Sequence, residues 1–243
     1  MTDSADVVGL YRQELKELAS LLLRMGRLVE TQLAAAVQSV RRHDDQGAQS
    51  VIKADREVDG LHVEVEAKCH RLLSVRATSE TDMRAVVAPF KMAHDLERIG
   101  DLAANIAKRA IVLNYGRLLG AEPGVELMGA MVGRMVKDVL DAYAAEQSGP
   151  AIDVWHRDVE VDRLYNSVFR ELLTYMMEDP RNVTPGTHLM FVAKNLERIG
   201  DLATNMAEDV VYLIEGRQLD ETRKKEDVTS SLAGPFAAGP APD

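Results

Sequence analysis

The segment LERIGDLAANIA at Leu96–Ala107 returns as LERIGDLATNMA at Leu196–Ala207, 100 residues further along a chain of 243. A duplication on this scale means either two small domains or one domain of two similar halves. If the repeated segment is helical, Glu97, Asp101 and Asn105, and again Glu197, Asp201 and Asn205, form one polar stripe at four-residue spacing. Two copies of an acidic stripe point to two copies of a site.

Hydrophobic residues make up 46% of the chain and charged residues 28%, with only 5% aromatics, a balance that favours helices over a β-sandwich. The expected fold class is therefore all-α. A net charge of -10, with Lys and Arg scattered rather than clustered, argues against a nucleic-acid partner. No run approaches the ~20 apolar residues that span a bilayer, so membrane contact is expected only through a protein partner. The opening MTDSADVVGL lacks a charged region followed by an apolar one, and the single Cys69 fits a reducing compartment. These features lead us to expect a cytoplasmic protein.

Apolar residues recur at helical spacing from Val7 to His43, from Ala48 to Leu73 and from Asp82 to Leu119. Gly120–Gly124, with Pro123, is the central stretch richest in turn chemistry, and the pattern restarts after it. Three further helices are expected at Val125–Ala145, Ala151–Met177 and Thr187–Glu215, with turns at Gln147–Pro150 and Glu178–Gly186. The expected organisation is a first three-helix bundle over 1–119, a hinge at 120–124, a second bundle over 125–217 and a disordered tail at 218–243, charged at first and then rich in Ala, Gly and Pro.

The second helix of each half carries a fainter echo: Asp55, Glu57 and Asp59 match Asp158, Glu160 and Asp162 in type and spacing. Asp59 precedes Glu97 by 38 residues and Asp162 precedes Glu197 by 35, so antiparallel packing of these helices would bring the acidic pairs face to face. Like charges one helical turn apart cost roughly 0.2–0.5 kcal/mol a pair, which a bound cation would offset. Carboxylate sets suit hard or borderline cations: Mg, Mn, Ca, or iron where oxygens are shared. His62 and His94 could join the first set from the same helix faces, whereas Tyr165 and Lys194 hold the matching places in the second, where a lysine would repel a cation. Gly100 and Gly200 provide either close helix packing or clearance beside the carboxylates, and Arg98 and Arg198 are expected at the surface.

No nucleophile motif or glycine-rich phosphate loop is present, and Cys69 lies mid-helix, so a non-enzymatic role is expected. The alternatives are a carboxylate-bridged metal-dependent hydrolase and a metal-free helical scaffold.

At these residues the chain resembles the PhoU family of phosphate-specific transport accessory proteins, whose hallmark is a duplicated three-helix unit with Asp-x-x-x-Asp on the second helix and Glu-Arg-Ile-Gly-Asp on the third. The likeness covers roughly Tyr11 to Gly216 and is strongest over Met176–Asn205. It implies two three-helix, spectrin-like bundles related by a pseudo-twofold axis. It implies multinuclear clusters of divalent or iron ions (Fe, Mn, Mg or Zn) held by Asp55, Asp59, Glu97 and Asp101 in one half and by Asp158, Asp162, Glu197 and Asp201 in the other. It further implies a homodimeric negative regulator of the Pho regulon and of phosphate homeostasis. The partners implied are the ATP-binding subunit of the phosphate ABC transporter and the phosphate-sensing histidine kinase. Two departures stand out: Ala77–Thr81 replaces a Gln-Pro turn, and Leu102 and Leu202 stand where many members have His or Tyr.

Overall fold

The computed structural model describes residues 4–76, 79–116 and 119–219. Seven α-helices run through them: α1 Ser4–Arg42, α2 Asp45–Arg76, α3 Glu80–Leu113, α4 Glu122–Ala145, α5 Ser148–His156, α6 Asp158–Glu178 and α7 Val183–Glu215. The all-α expectation is met. In α1 the buried side chains Leu18, Leu22, Met25, Val29, Leu33, Ala36 and Val40 recur at three- and four-residue steps, one continuous stripe. Each large one contributes about 1.5–3 kcal/mol by leaving water.

Short polar side chains set the breaks. The Asp44 carboxylate accepts the Gly47 N–H at 2.9 Å and starts α2, and Ser79 Oγ accepts the Asp82 N–H at 3.1 Å and starts α3. Helix α3 ends six residues before the expected Leu119, in a turn where Asn114 donates to Asp45 Oδ1 at 2.6 Å. The proline-bearing segments differ most from expectation. Pro123, Pro150 and Pro185 lie in the first turns of α4, α5 and α7, where a missing N–H breaks no helical bond. The helices consequently begin earlier than the turn chemistry suggested, and the hinge expected at 120–124 overlaps the start of α4 at Glu122. The stretch Glu178–Gly186, expected as a loop, is a short 3₁₀ turn at Pro180–Asn182 followed directly by α7.

The expected helix over Ala151–Met177 is two helices, α5 and α6. At Arg157 the backbone N–H bonds Val154 O at 3.1 Å, so a three-residue turn replaces the helical one, and the guanidinium binds Asp138 on α4. The indole N–H of Trp155, just before this break, donates to Glu208 on α7 at 2.9 Å. The break makes Asp158 and Glu160 the first-turn acids of α6, at the positive end of its dipole. Residues 220–243 of the expected disordered tail lie outside the described residues.

Helices α1, α2 and α3 pack as one bundle and α4 to α7 as another, with α5 and α6 together taking the place of the second helix. The bundles meet through α1 on α4 and α3 on α7, and their buried apolar side chains form one cluster spanning both. The pseudo-twofold is visible in single contacts. A Cβ added to Gly26 would come within 2.5 Å of Leu140, and one added to Gly129 within 2.6 Å of Val37. Gly26 and Gly129 follow Met25 and Met128, and a 103-residue offset relates both Gly26 to Gly129 and Val37 to Leu140. The same two positions therefore meet twice across α1 and α4, each time with a glycine admitting the branched side chain opposite.

Candidate functional site

In the first half, α2 presents Asp55 and Asp59 toward α3, which presents Glu97 and Asp101. Burial pushes the Asp55 carboxyl above its usual range, and the negative charges of Asp101, Asp59 and Glu97 push it further, with Lys108 opposing. Asp59, Glu97 and Asp101 thus lie within electrostatic reach of Asp55. A fifth oxygen comes from α1. Gln32 is 2% exposed, and neither its Oε1 nor its Nε2 has a hydrogen-bond partner.

Gly100 makes room for these groups. A Cβ there would lie 3.3 Å from Asp55 Oδ1 and 3.4 Å from Gln32 Oε1, with Val58 Cγ1 also at 3.3 Å. An alanine would crowd both oxygens at once. His62 and His94 stand together, ring centroids 6.0 Å apart, and His62 Nε2 is 3.7 Å from Glu66 on its own helix.

The second half repeats the positions with different chemistry. Asp158, Asp162 and Glu197 are buried at 2%, 2% and 4% exposure, whereas Asp59 and Asp101 are exposed. Lys194 Nζ lies 2.9 Å from Glu197 Oε1 and 5.0 Å from the centre of the Tyr165 ring. The Thr204 hydroxyl is 3.4 Å from Asp158 Oδ1 and 2.9 Å from the Gly200 carbonyl, a donor shared between them. Asp162 and Asp201 also take part in polar or electrostatic interactions. Around Gly200 the nearest groups are methyls of Val161 and Val132, at 3.3 and 3.6 Å, so this glycine serves helix packing.

Among the described residues, no three Asp, Glu, His or Cys side chains are already gathered tightly enough to hold a metal ion. The first set nevertheless suits one: its donors are oxygens, one of them an orphaned buried amide, and Asp55 feels the negative charge of the other three carboxylates. A cation there would draw the side chains in by rotation rather than enter a finished cage. In the second set an ammonium already stands beside Glu197, and the fit is poorer.

Sequence reasoning missed Gln32, although a polar residue on the buried stripe between Val29 and Ala36 was the available signal. It also missed a charged contact between the halves, where Lys91 donates to Asp209 at 2.5 Å beside the buried Asp95. Cys69 is packed as expected, its thiol pushed up to about 12 by burial. No described helix is long and apolar enough to cross a membrane.

The comparisons with known proteins agree with this architecture. The PhoU domain profile matches residues 22–110 and 125–210. The chain is 46% identical over 221 residues to the phosphate-specific transport system accessory protein PhoU homolog of Caulobacter vibrioides, covering 90% of this chain and 96% of that one. It is 42% identical over 224 residues to the homolog of Zymomonas mobilis, covering 92% and 94%. The crystal structure of PhoU from Pseudomonas aeruginosa superposes with a TM-score of 0.83 at 38% identity, covering 85% of this chain and all of that one. The phosphate transport system regulatory protein PhoU from Streptococcus pneumoniae superposes with a TM-score of 0.80 at 30% identity over 87% of this chain. These relatives are named as accessory and regulatory proteins, in line with a non-enzymatic helical chain. The duplicated bundle, the paired acidic motifs and the match along both halves place this chain in the PhoU family.

Proposed function

We propose that this chain is a cytoplasmic negative regulator of phosphate signalling and high-affinity phosphate uptake. It acts through helical-surface contacts with the ATP-binding subunit of the phosphate ABC transporter and with the phosphate-sensing histidine kinase, as a homodimer. The observation that carries the reading is near full-length similarity, in sequence and in fold, to proteins named as phosphate-transport accessories. The absence of a long apolar helix among the described residues is compatible with action at a membrane through partners. Exposed apolar side chains such as Tyr115 and Met177, 82% and 86% exposed, are available for such contacts.

The reading includes metal ions, divalent or iron, at Asp55, Asp59, Glu97 and Asp101 and at Asp158, Asp162, Glu197 and Asp201. When bound they supply positive charge between helices that would otherwise repel. The chain's own residues orient the oxygens and hold α2 against α3 and α6 against α7, so ion binding is coupled to the rigidity of each bundle.

The test is affinity purification after crosslinking from phosphate-replete cells, with partners identified by mass spectrometry against a mock control. Recovery of the transporter ATPase or a membrane histidine kinase is expected. Recovery of neither would overturn the proposed partners.

A further inference from the structure

The two acidic sets occupy equivalent positions, yet the residues around them differ. Over Gly100 the α1 neighbour is Gln32, with two unpartnered polar atoms in a 2% exposed side chain. At the 103-residue offset that relates Met25-Gly26 to Met128-Gly129, α4 places the fully buried Met135. His94 precedes Glu97 by three residues where Lys194 precedes Glu197, and only the lysine forms an ion pair with its glutamate, at 2.9 Å. Ala104 follows Gly100 where Thr204 follows Gly200, and only the threonine offers a hydroxyl, 3.4 Å from Asp158. The first set thus has an oxygen without a partner and no ammonium seated on its glutamate. The second has an apolar α1-type neighbour, an ammonium on its glutamate and a hydroxyl beside its aspartate.

An orphaned amide 2% exposed to solvent is costly, because its donor and acceptor have lost water without replacement. A cation between Asp55 and Gln32 gives the amide oxygen a partner and relieves the carboxylate crowding. Amide carbonyls and carboxylates together are the ligand class of hard divalent ions. In the second set an incoming cation would first have to displace the Lys194 ammonium, a like charge already in the place where it is needed.

We infer that the two sets are unequal: the first is the readily exchangeable site for a hard divalent cation, with Gln32 Oε1 as an additional oxygen ligand from α1, and in the second the Lys194 ammonium already beside Glu197 weakens cation binding. This rests on the metal reading proposed above. It makes the first half the ion-responsive one, because its ion would tie three helices together, α1 through Gln32, α2 through Asp55 and α3 through Glu97 and Asp101.

The experiment is titration of the full chain with Mn²⁺ after stripping with EDTA, following free Mn²⁺ by its paramagnetic resonance, with circular dichroism as the check on folding. Glu97→Gln combined with Asp101→Asn is expected to remove the whole tight class of binding. Gln32→Met, which copies the residue of the second half, is expected to weaken it about tenfold, whereas Gln32→Glu tightens it. Lys194→Ala with Thr204→Ala is expected to add a second class of binding. Survival of half the tight class in the Glu97/Asp101 variant, or a folded Gln32→Met chain with unchanged affinity, would overturn the inference while leaving the metal reading intact. No Mn²⁺ binding by the unmodified chain would overturn both.

Discussion

Asp95 lies on α3 beside the contact with α7, and it is a carboxyl in a setting made for a neutral group. It is 8% exposed, and burial followed by the nearby Asp209 charge pushes it up to about 6, with His94, Arg98 and Lys91 opposing. Its folded pKa exceeds the ordinary carboxylate value, so between about pH 4 and 6 the folded chain keeps a proton that the unfolded chain releases. Stability is therefore fullest below that window and falls as pH rises through it. Asp95→Asn should raise stability at pH 7.5, by on the order of 1–2 kcal/mol, and flatten this decline. Denaturant melts of both chains at pH 4.5 and 7.5 would check it. A loss of stability at pH 7.5 would mean that the ionised carboxylate is favourably held. Residues of this kind were the hardest to read in the sequence. Asp55, Glu97 and their counterparts were legible because they repeat, whereas Asp95 has Asn195 opposite it in the repeat and Gln32 has Met135. A search for duplicated chemistry passes over positions where the duplicates have diverged, and here those positions carry the electrostatic differences between the halves.

Among the helices, the contact of α1 with α4 depends on two glycines, and their neighbours differ in how far they can yield. Val37, β-branched and stiff, sits 2.6 Å from where a Cβ on Gly129 would be, while the atoms crowding Gly26 are the rotatable ends of Leu140. Gly129→Ala should cost about 1–3 kcal/mol through overpacking, outweighing the ~1 kcal/mol gained in helix propensity. Gly26→Ala should cost less, and thermal melts of the two variants would show the order; equal losses would mean that α1 and α4 separate as rigid bodies. Helix number and order were readable from apolar spacing, because each helix buries one stripe. Helix starts were not, since prolines that read as breaks serve as first-turn residues. The division at Arg157 was also hidden, as no proline or glycine marks it. It follows from contacts with Asp138 on α4 and, through Trp155, with Glu208 on α7, which only the packed structure brings near.

Across the whole molecule, the pseudo-twofold preserves positions while letting their chemistry drift. Lys91 donates to Asp209 on one side of the α3 and α7 contact. On the other, the 100-residue equivalents Arg109 and Phe191 meet as a cation over a ring, with the guanidinium carbon 4.7 Å from its centre. A duplicated scaffold can in this way keep its shape while the chemistry of its halves diverges. In the proposed function this scaffold restrains phosphate uptake when phosphate is abundant. The direct measurement is the initial rate of labelled phosphate uptake in phosphate-replete cells lacking the chain, compared with the same cells carrying it. A several-fold higher rate is expected in the cells that lack it, reversed by restoring the chain. An unchanged or lower rate would contradict it.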